Sequence, residues 1–200
     1  ESVIGMTGLK LLNEPVLPTM RFTDMNAAPA AGLPQAEFAP RAFVPGATWE
    51  RFGSTIQPLP YLDPAQAGDA KIIGRWVMAG KLRDDMGAFA VRKLPTWTSV
   101  YSACPYLSIE LMRNLAKMAG VHVYRDANDV LYADRYFVCV HTGGAPAADT
   151  LRLPAATPVY DVFGRKLLSQ KADSLKLAVP PYTTALYYLG DPAKLETALE

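Results

Sequence analysis

The chain has 200 residues, half of them apolar, which is enough to bury one core or two small ones. Twenty basic side chains are matched by nineteen acidic ones, so no charge excess attracts a nucleic-acid backbone or an anionic membrane. The longest apolar runs, such as 136–140 and 185–189, are far shorter than the roughly 20 residues that a membrane helix needs. We therefore expect neither a nucleic-acid partner nor a membrane partner.

The first seventy residues are rich in proline and carry no steady helix or strand period. They hold more than half of the seventeen prolines. Such a stretch is typical of extended chain and turns, so residues 1–70 are predicted to be mostly irregular and to pack on or extend the part that follows. Because a loop of this length is unusual inside a compact domain, we expect some of its apolar groups to meet another domain or subunit.

Three strands are predicted after this segment, and a fourth after a helix. The runs 71–78, 87–94 and 98–104 are rich in β-branched and aromatic residues. The stretch 79–86, which contains a glycine and two adjacent aspartates, is interpreted as a hairpin loop. Residues 121–125 are expected to return as the further strand.

A helix is predicted over residues 109–119. Ser108 is a favourable N-cap, and Gly120 suits the position just after the last turn. An apolar stripe along one side of this helix would pack on the sheet. The stripe comprises Leu111, Met112, Leu115, Met118 and Ala119.

From residue 129 to residue 190 the pattern is that of short strands separated by turn residues, as in an antiparallel sandwich or open barrel. The predicted strands are 130–133, 135–141, 150–153, 159–163, 166–168, 175–179 and 184–189. Gly164 is expected at the tip of one hairpin, with a positive φ. Residues 191–200 are a tail with a helical turn after Asp191 and Pro192.

Several motifs in the second half of the chain have a family likeness. They are Trp-Thr-Ser-Val-Tyr-Ser-Ala-Cys-Pro-Tyr-Leu, Leu-Met-Arg-Asn-Leu-Ala, Ala-Gly-Val-His-Val-Tyr-Arg-Asp and Asp-Val-Leu-Tyr-Ala-Asp-Arg, between Trp97 and Tyr136. Together with the stretch Val159-Tyr-Asp-Val-Phe-Gly-Arg-Lys, they resemble the C-terminal region of bacterial β-galactosidase-like glycoside hydrolases. The resemblance covers residues 71–190.

This resemblance implies a fold of two parts, α/β followed by all-β. Residues 71–128 would form a partial flavodoxin-like, amidotransferase-like sheet, and residues 129–190 a C-terminal antiparallel β domain. The catalytic barrel and its carboxylates would lie upstream, so the implied partner is that catalytic domain or another subunit. A secreted or periplasmic location is favoured by the same resemblance.

Cys104 is the candidate for nucleophilic chemistry, because it lies where a predicted strand ends and a helix begins. Pro105 and Tyr106 follow it, in place of the small residues that a nucleophile elbow needs. A catalytic triad would also need a base. The two histidines, His122 and His141, are instead interpreted as strand residues that bind backbone groups.

No metal and no cofactor are expected. The histidines and cysteines show no metal-ligand spacing, and no glycine-rich run opens a helix as a phosphate cradle would. Cys104 and Cys139 are interpreted as two buried free thiols. The acidic residues Asp126, Asp129 and Asp134 are assigned to solvated turns.

Aromatic faces are the remaining candidates for a site, because Trp and Tyr rings can stack on sugar rings. Trp97, Tyr101 and Tyr106 lie close together in the sequence, and core packing is the alternative interpretation of each. Trp97 is the one that we expect to be exposed, because it follows a proline-containing turn.

Three functions remain open. The first is a non-catalytic accessory region that supports a domain or an oligomer within a glycoside hydrolase-like protein. The second is a carbohydrate-binding module, and the third is a hydrolase or amidotransferase relative that depends on Cys104. The first hypothesis is preferred, because the motifs contain no catalytic signature and fold analogy alone assigns no activity.

Overall fold

The structure is a computed structural model that describes residues 5–12, 18–34, 36–38, 59–104 and 107–199. The chain divides into two compact units, Glu1–Met118 and Ala119–Glu200. None of the helices in these described ranges is long and apolar enough to cross a membrane. The domain boundary predicted between residues 128 and 129 stays a prediction.

The first unit, over its described residues, is a sheet of seven antiparallel strands with one helix. Its elements are β1 (Leu9–Leu12), β2 (Thr19–Phe22), β3 (Glu37–Phe38), β4 (Leu59–Leu62), β5 (Lys71–Met78), β6 (Lys81–Lys93), β7 (Thr98–Ser102) and α1 (Ile109–Met118). The strand order is β1-β4-β6-β5-β2-β3, and β7 also pairs with β6. The thirteen-residue strand β6 therefore pairs with three neighbours.

The hairpin of β5 and β6 confirms one predicted strand and corrects the loop that follows it. Strand β5 spans Lys71–Met78 as predicted, but β6 begins at Lys81. Only Ala79 and Gly80 form the turn, and their φ angles of 48° and 76° are both positive. Tight hairpin turns with this conformation match the twist of the strands. The polar residues that suggested a loop occupy the largely exposed start of a long strand.

The core of the first unit combines side chains from the sheet and from α1. Its buried members are Met20, Phe22, Ala30, Leu33, Phe38, Ile73, Trp76, Met86, Ala88, Phe89, Ala103, Cys104 and Leu111. Trp76 is fully buried, and its Nε1 donates to the Pro60 carbonyl at 2.9 Å. A Cβ at Gly74 would lie 2.8 Å from the Phe89 Cβ, so this strand pair can approach closely only because residue 74 is glycine.

Part of the proline-rich segment completes this core. Strand β2 contributes Met20 and Phe22, and it pairs antiparallel with β5. Leu9 and Leu11 of β1 are by contrast 50% and 60% exposed. The described part of residues 1–70 thus contains four short strands, where the sequence indicated mostly irregular chain. Val16 and Leu17, two of the apolar residues that we expected to meet another domain or subunit, lie outside the described residues.

Helix α1 confirms the predicted helix but narrows its apolar stripe. The Leu111 amide donates to the Ser108 hydroxyl at 3.2 Å, which is the expected N-cap, and Gly120 has a φ of 74°. Leu111 is fully buried, whereas Met112 is 50% exposed. Successive helix positions are about 100° apart, so the predicted stripe was too wide at Met112.

The second unit, in the part that the structure describes, contains a five-stranded antiparallel sheet and one helix. Its elements are β8 (Val130–Ala133), β9 (Phe137–His141), β10 (Thr150–Asp161), β11 (Lys166–Lys176), β12 (Thr184–Leu189) and α2 (Pro192–Leu199). The strand order is β11-β10-β12-β9-β8. The buried core consists of Val138, Val140, Ala147, Leu151, Leu153, Val159, Leu177, Val179, Tyr187 and Leu189.

The long strands β10 and β11 replace four short predicted ones. Their pairing shifts register after Arg152, Thr157 and Val159. Such bulges let a strand continue through residues that cannot take part in a regular ladder, here Pro154 and Pro158. The interruptions in the sequence therefore mark irregular pairing and not the ends of strands.

The turn between β10 and β11 corrects the role predicted for Gly164. The residue with positive φ is Arg165, at 47°. The Gly164 amide donates to Asp161 Oδ1 at 2.9 Å, and a Cβ at residue 164 would lie 2.5 Å from Asp161 Oδ2. A larger residue at this position would displace the Asp161 carboxylate and weaken its bond to the turn.

The segment 121–125 is not a strand, contrary to the prediction. It nevertheless lies beside the start of β10. The Arg152 amide donates to the Tyr124 carbonyl at 2.7 Å, and the Arg152 Nε donates to the Val123 carbonyl at 3.3 Å. The segment thus bonds to β10 through one residue of that strand, which is too few bonds for a regular ladder.

The predicted α/β, flavodoxin-like part of the fold class is wrong. The described residues form two antiparallel sheets, and the architecture is mostly β. Strands β5, β6 and β7 are joined by short turns, whereas parallel neighbours need crossovers of a dozen or more residues. The antiparallel organisation predicted for residues 129–190 agrees with the second sheet.

Candidate functional site

A buried arginine, Arg125, is paired with aspartates in the second unit. Its side chain is only 4% exposed. The Nη2 donates to Asp149 Oδ1 at 2.6 Å, and the Nε donates to Asp149 Oδ2 at 3.2 Å. This two-pronged geometry suits a planar guanidinium and a carboxylate, so it fixes the orientation of both side chains.

A second carboxylate completes this group. The Arg125 Nη1 lies 2.9 Å from Asp129 Oδ2, although the contact lacks hydrogen-bond geometry and Nη1 has no hydrogen-bond partner among the described residues. The effect of the guanidinium extends to the neighbouring Tyr187. Burial raises the pKa of the Tyr187 hydroxyl, the Asp161 carboxylate adds to this rise, and Arg125 opposes it.

These side chains line an open pocket of about 510 Å³, here called the Arg125 pocket. Its lining residues are Arg125, Asp126, Ala127, Asp129, Ala145, Pro146, Ala148 and Asp149. The volume falls within the roughly 300–1,000 Å³ that is usual for small-molecule sites. At the rim, Asp126 accepts from the Arg152 Nη2 at 2.8 Å. The pocket therefore combines paired charges with small apolar side chains.

A group of aromatic side chains lies next to β8, the strand at one end of the second sheet. Tyr132 and Tyr136 are 71% and 48% exposed. The Tyr136 ring is stacked on Tyr188, with centroids 6.5 Å apart and planes inclined by 23°. Phe137 lies 5.3 Å from the same Tyr188 ring, and the Arg135 guanidinium lies 5.3 Å from the Tyr136 ring centroid.

Cys104, the predicted candidate nucleophile, is fully buried in the core of the first unit. The Ser102 hydroxyl donates to its backbone carbonyl at 2.7 Å. Cys139 of β9 is half-buried, and neither cysteine is in a disulfide. A thiol enclosed among apolar side chains is not open to a substrate, so the structure favours a packing role for Cys104.

The two histidines belong to the second unit and have separate partners. The His122 Nε2 lies 3.0 Å from the Arg152 carbonyl, and its ring meets Tyr124 edge to face at 4.6 Å. The His141 Nδ1 lies 2.9 Å from the Thr184 hydroxyl. Among the described residues, no three His, Cys, Asp or Glu side chains are placed to hold a metal ion.

The predicted sugar-stacking residues lie in different surroundings. Trp97 is 48% exposed, and its ring occupies the space beside Gly5, where a Cβ would lie 3.1 Å away. Tyr101 packs against the core, and burial raises the pKa of its hydroxyl. That hydroxyl has no hydrogen-bond partner among the described residues. Tyr106 lies outside the described residues.

The aspartates assigned to solvated turns divide into two groups. Asp134 fits the assignment, because its Oδ1 accepts the amides of Tyr136 and Phe137 at 2.7 Å each, and these bonds lower the pKa of its carboxyl group. Asp126 and Asp129 also lie in bends, and in addition they line the Arg125 pocket. One local signal for this pocket was present, an arginine four residues before Asp129, whereas the pairing with Asp149 had no local signal.

No family model and no curated protein matches the chain. Among solved structures, its fold is similar to that of the β-galactosidase from Bacillus circulans sp. alkalophilus, at 14% identity and a TM-score of 0.51, over 91% of this chain and 24% of that one. The β-galactosidase from Rahnella sp. R3 is similar at 11% identity and a TM-score of 0.45, over 91% and 23%. The second likeness is too low to carry an argument.

The first likeness defines the fold class, a β-rich architecture found within a β-galactosidase chain. This chain spans about a quarter of the length of that neighbour. The resemblance seen in the sequence motifs is thereby supported at the level of the fold, while its amidotransferase-like part is not.

Proposed function

We propose that the chain is a non-catalytic accessory region of a larger, glycoside hydrolase-like protein. The observation that carries this proposal is the fold likeness, which extends over 91% of the chain but only 24% of a β-galactosidase. A region that corresponds to one quarter of a hydrolase is best understood as one part of such a protein. Its two units would then support the rest of the molecule.

The surface of the first unit supports such a role. Strand β1 is at the edge of the sheet, and its Leu9 and Leu11 side chains point to solvent with 50% and 60% exposure. Sheet edges and clustered apolar groups are the usual sites of contact with another chain or domain. We therefore propose that β1 is where an upstream catalytic domain or another subunit contacts this region.

The test uses the complete natural gene product. Hydrolysis of nitrophenyl β-galactoside would be measured for the complete protein, for the protein without residues 1–200, and for residues 1–200 alone. The proposal predicts that residues 1–200 alone show no turnover and that their removal lowers the thermal inactivation temperature of the remainder. Turnover by residues 1–200 that Cys104→Ser abolishes and Cys139→Ser preserves would overturn it in favour of a thiol-dependent hydrolase.

A second experiment tests the proposed role of β1 as a contact strand. In the complete protein, replacing Leu9 and Leu11 by serine should reproduce the loss of thermal resistance. The matched control is Val130→Ser, which changes a side chain of similar exposure, 48%, in the second unit. Equal effects of the two changes would contradict the assignment of β1 as the contact strand.

A further inference from the structure

We infer that the edge strand β8 of the second unit pairs with β8 of a second copy of this chain, antiparallel and about a two-fold axis at Tyr132. This self-association is independent of the proposed accessory role, which rests on the fold likeness and on β1 of the first unit. Three features of β8 support it: an edge without protecting residues, outward backbone groups in a suitable register, and flanking charges that are complementary in this pairing.

The two edges of the second sheet differ in the residues that they present. Among the described strands, β11 lies at one edge and β8 at the other. Strand β11 carries lysines at positions 166, 171 and 176, and lysines on an edge strand commonly prevent pairing with another chain. Strand β8 has the sequence Val-Leu-Tyr-Ala, without charge or proline, and its Tyr132 is 71% exposed. Strand β8 therefore lacks the residues that usually keep an edge unpaired.

The backbone groups that β8 directs away from the sheet belong to Leu131 and Ala133. The Asp134 amide donates to the Phe137 carbonyl at 2.9 Å, so residue 134 faces β9. In an antiparallel ladder this direction alternates from one residue to the next. The N–H and C=O groups of Leu131 and Ala133 consequently point to the open edge, where they can bind an added strand.

A two-fold axis at Tyr132 uses both of these outward residues. Antiparallel pairing about this axis places Leu131 of each copy opposite Ala133 of the other, where the two can exchange backbone hydrogen bonds. Tyr132 then lies opposite its own copy, in the position of the ladder where side chains are closest and aromatic pairs are stabilising. At the end of the paired segment Val130 faces Asp134, whose carboxylate is already bound by two amides of its own turn, so this end adds little.

The charges that flank β8 favour a second copy over an unrelated strand. Asp129 stands three residues before Tyr132 and Arg135 three residues after it, so the same axis brings Asp129 of each copy towards Arg135 of the other. Among the described residues Arg135 has no carboxylate partner, and its guanidinium lies 5.3 Å from the centroid of an aromatic ring. The Asp129 carboxylate already contacts Arg125 through Oδ2, but a carboxylate has about four acceptor positions. This pairing therefore supplies the charge complementarity from the chain itself.

Sedimentation equilibrium of the 200-residue chain measures this self-association. We expect a reversible equilibrium between monomer and dimer, and a weak one, because a short strand buries less area than a standard interface. Tyr132→Lys should weaken the dimer at least about tenfold, because two like charges would face each other at the axis. The matched control is Tyr182→Lys, which changes a tyrosine of similar exposure, 78%, in a turn of the same unit. It should dimerise as the unmodified chain does.

A mixture of two variants tests the register of the pairing. Tyr132→Glu alone should dimerise as poorly as Tyr132→Lys alone. An equimolar mixture of the two should restore the dimer, because opposite charges then face each other across the axis. The inference is overturned if the unmodified chain stays monomeric up to about 1 mM, if Tyr132→Lys dimerises undiminished, or if the mixture pairs no better than either variant alone.

Discussion

We predict that replacing Leu111 by alanine lowers the stability of the first unit. This side chain is fully buried and belongs to the core formed by the sheet and α1. Replacement by alanine removes three buried carbon atoms, and each buried CH₂ is worth about 0.8 kcal/mol. The cavity left behind adds to this transfer cost, so the change should lower the free energy of unfolding by about 2.7–5 kcal/mol.

Urea unfolding followed by tryptophan fluorescence measures this loss of stability, because the fluorescence reports on the first unit. The three tryptophans of the chain, at positions 49, 76 and 97, all lie within Glu1–Met118. The matched control is Met112→Ala, one position further along the helix, where the side chain is 50% exposed. Its cost should be below about 1 kcal/mol, because surface substitutions usually change stability little.

Equal and small losses for the two variants would refute the packing of α1 on the sheet. A large loss for Met112→Ala with a small one for Leu111→Ala would show that the helix is rotated about its axis. Either result would remove Leu111 from the core described above.

Three further changes test the local structure. Ser108→Ala removes the N-cap bond of α1 and should lower stability by about 1 kcal/mol in the same urea experiment; an unchanged midpoint would contradict the cap. Ala79→Asn should raise the free energy of unfolding by roughly 1 kcal/mol, and the urea midpoint with it, because asparagine tolerates the positive φ of this turn better than alanine does. Hydrogen bonds from Thr19 and then from Arg21 lower the pKa of Glu37, so its contribution to stability is complete above about pH 4.3, the unfolded value, and is lost as the pH falls through the lower folded value. Glu37→Gln should therefore be less stable at neutral pH and less sensitive to acid in thermal melts between pH 5 and pH 2, whereas parallel melting profiles would argue against the bond.

The elements that the sequence predicted well are those whose signals are local. Strands β5, β8 and β12 and the start of α1 agree with the prediction, because residue type, turn residues and the Ser108 cap all lie within or beside the element. Periodicity does not reveal the direction of strand pairing. The α/β expectation came from family resemblance, and the antiparallel hairpin at Ala79 and Gly80 contradicts it.

The features that the sequence did not reveal depend on contacts between distant residues. Strand β2 finds its partner in β5, more than fifty residues later, as in the pairing of Met20 with Trp76. Likewise, Asp149 meets Arg125 across 24 residues. Neither pairing is visible in the local pattern of hydrophobic and polar residues. The proline-rich segment and the Arg125 pocket were therefore the parts that could be predicted least well from the sequence.

The order of strands in the first sheet also sets when that sheet can assemble during synthesis. Strand β1 pairs with β4, as in Leu9 with Leu62, and β4 in turn pairs with β6. Strand β1 therefore leaves the ribosome well before its partner β4 exists. Strand β2 can pair early with β3, but its second partner β5 is made only later. We expect the β5–β6 hairpin to form first in this sheet, because its contacts are local. Strands β1 and β2 pair with β4 and β5 later, because those pairings carry the entropic cost of closing long loops. Strands β1 and β2 are accordingly accessible to chaperones or to wrong partners while translation continues.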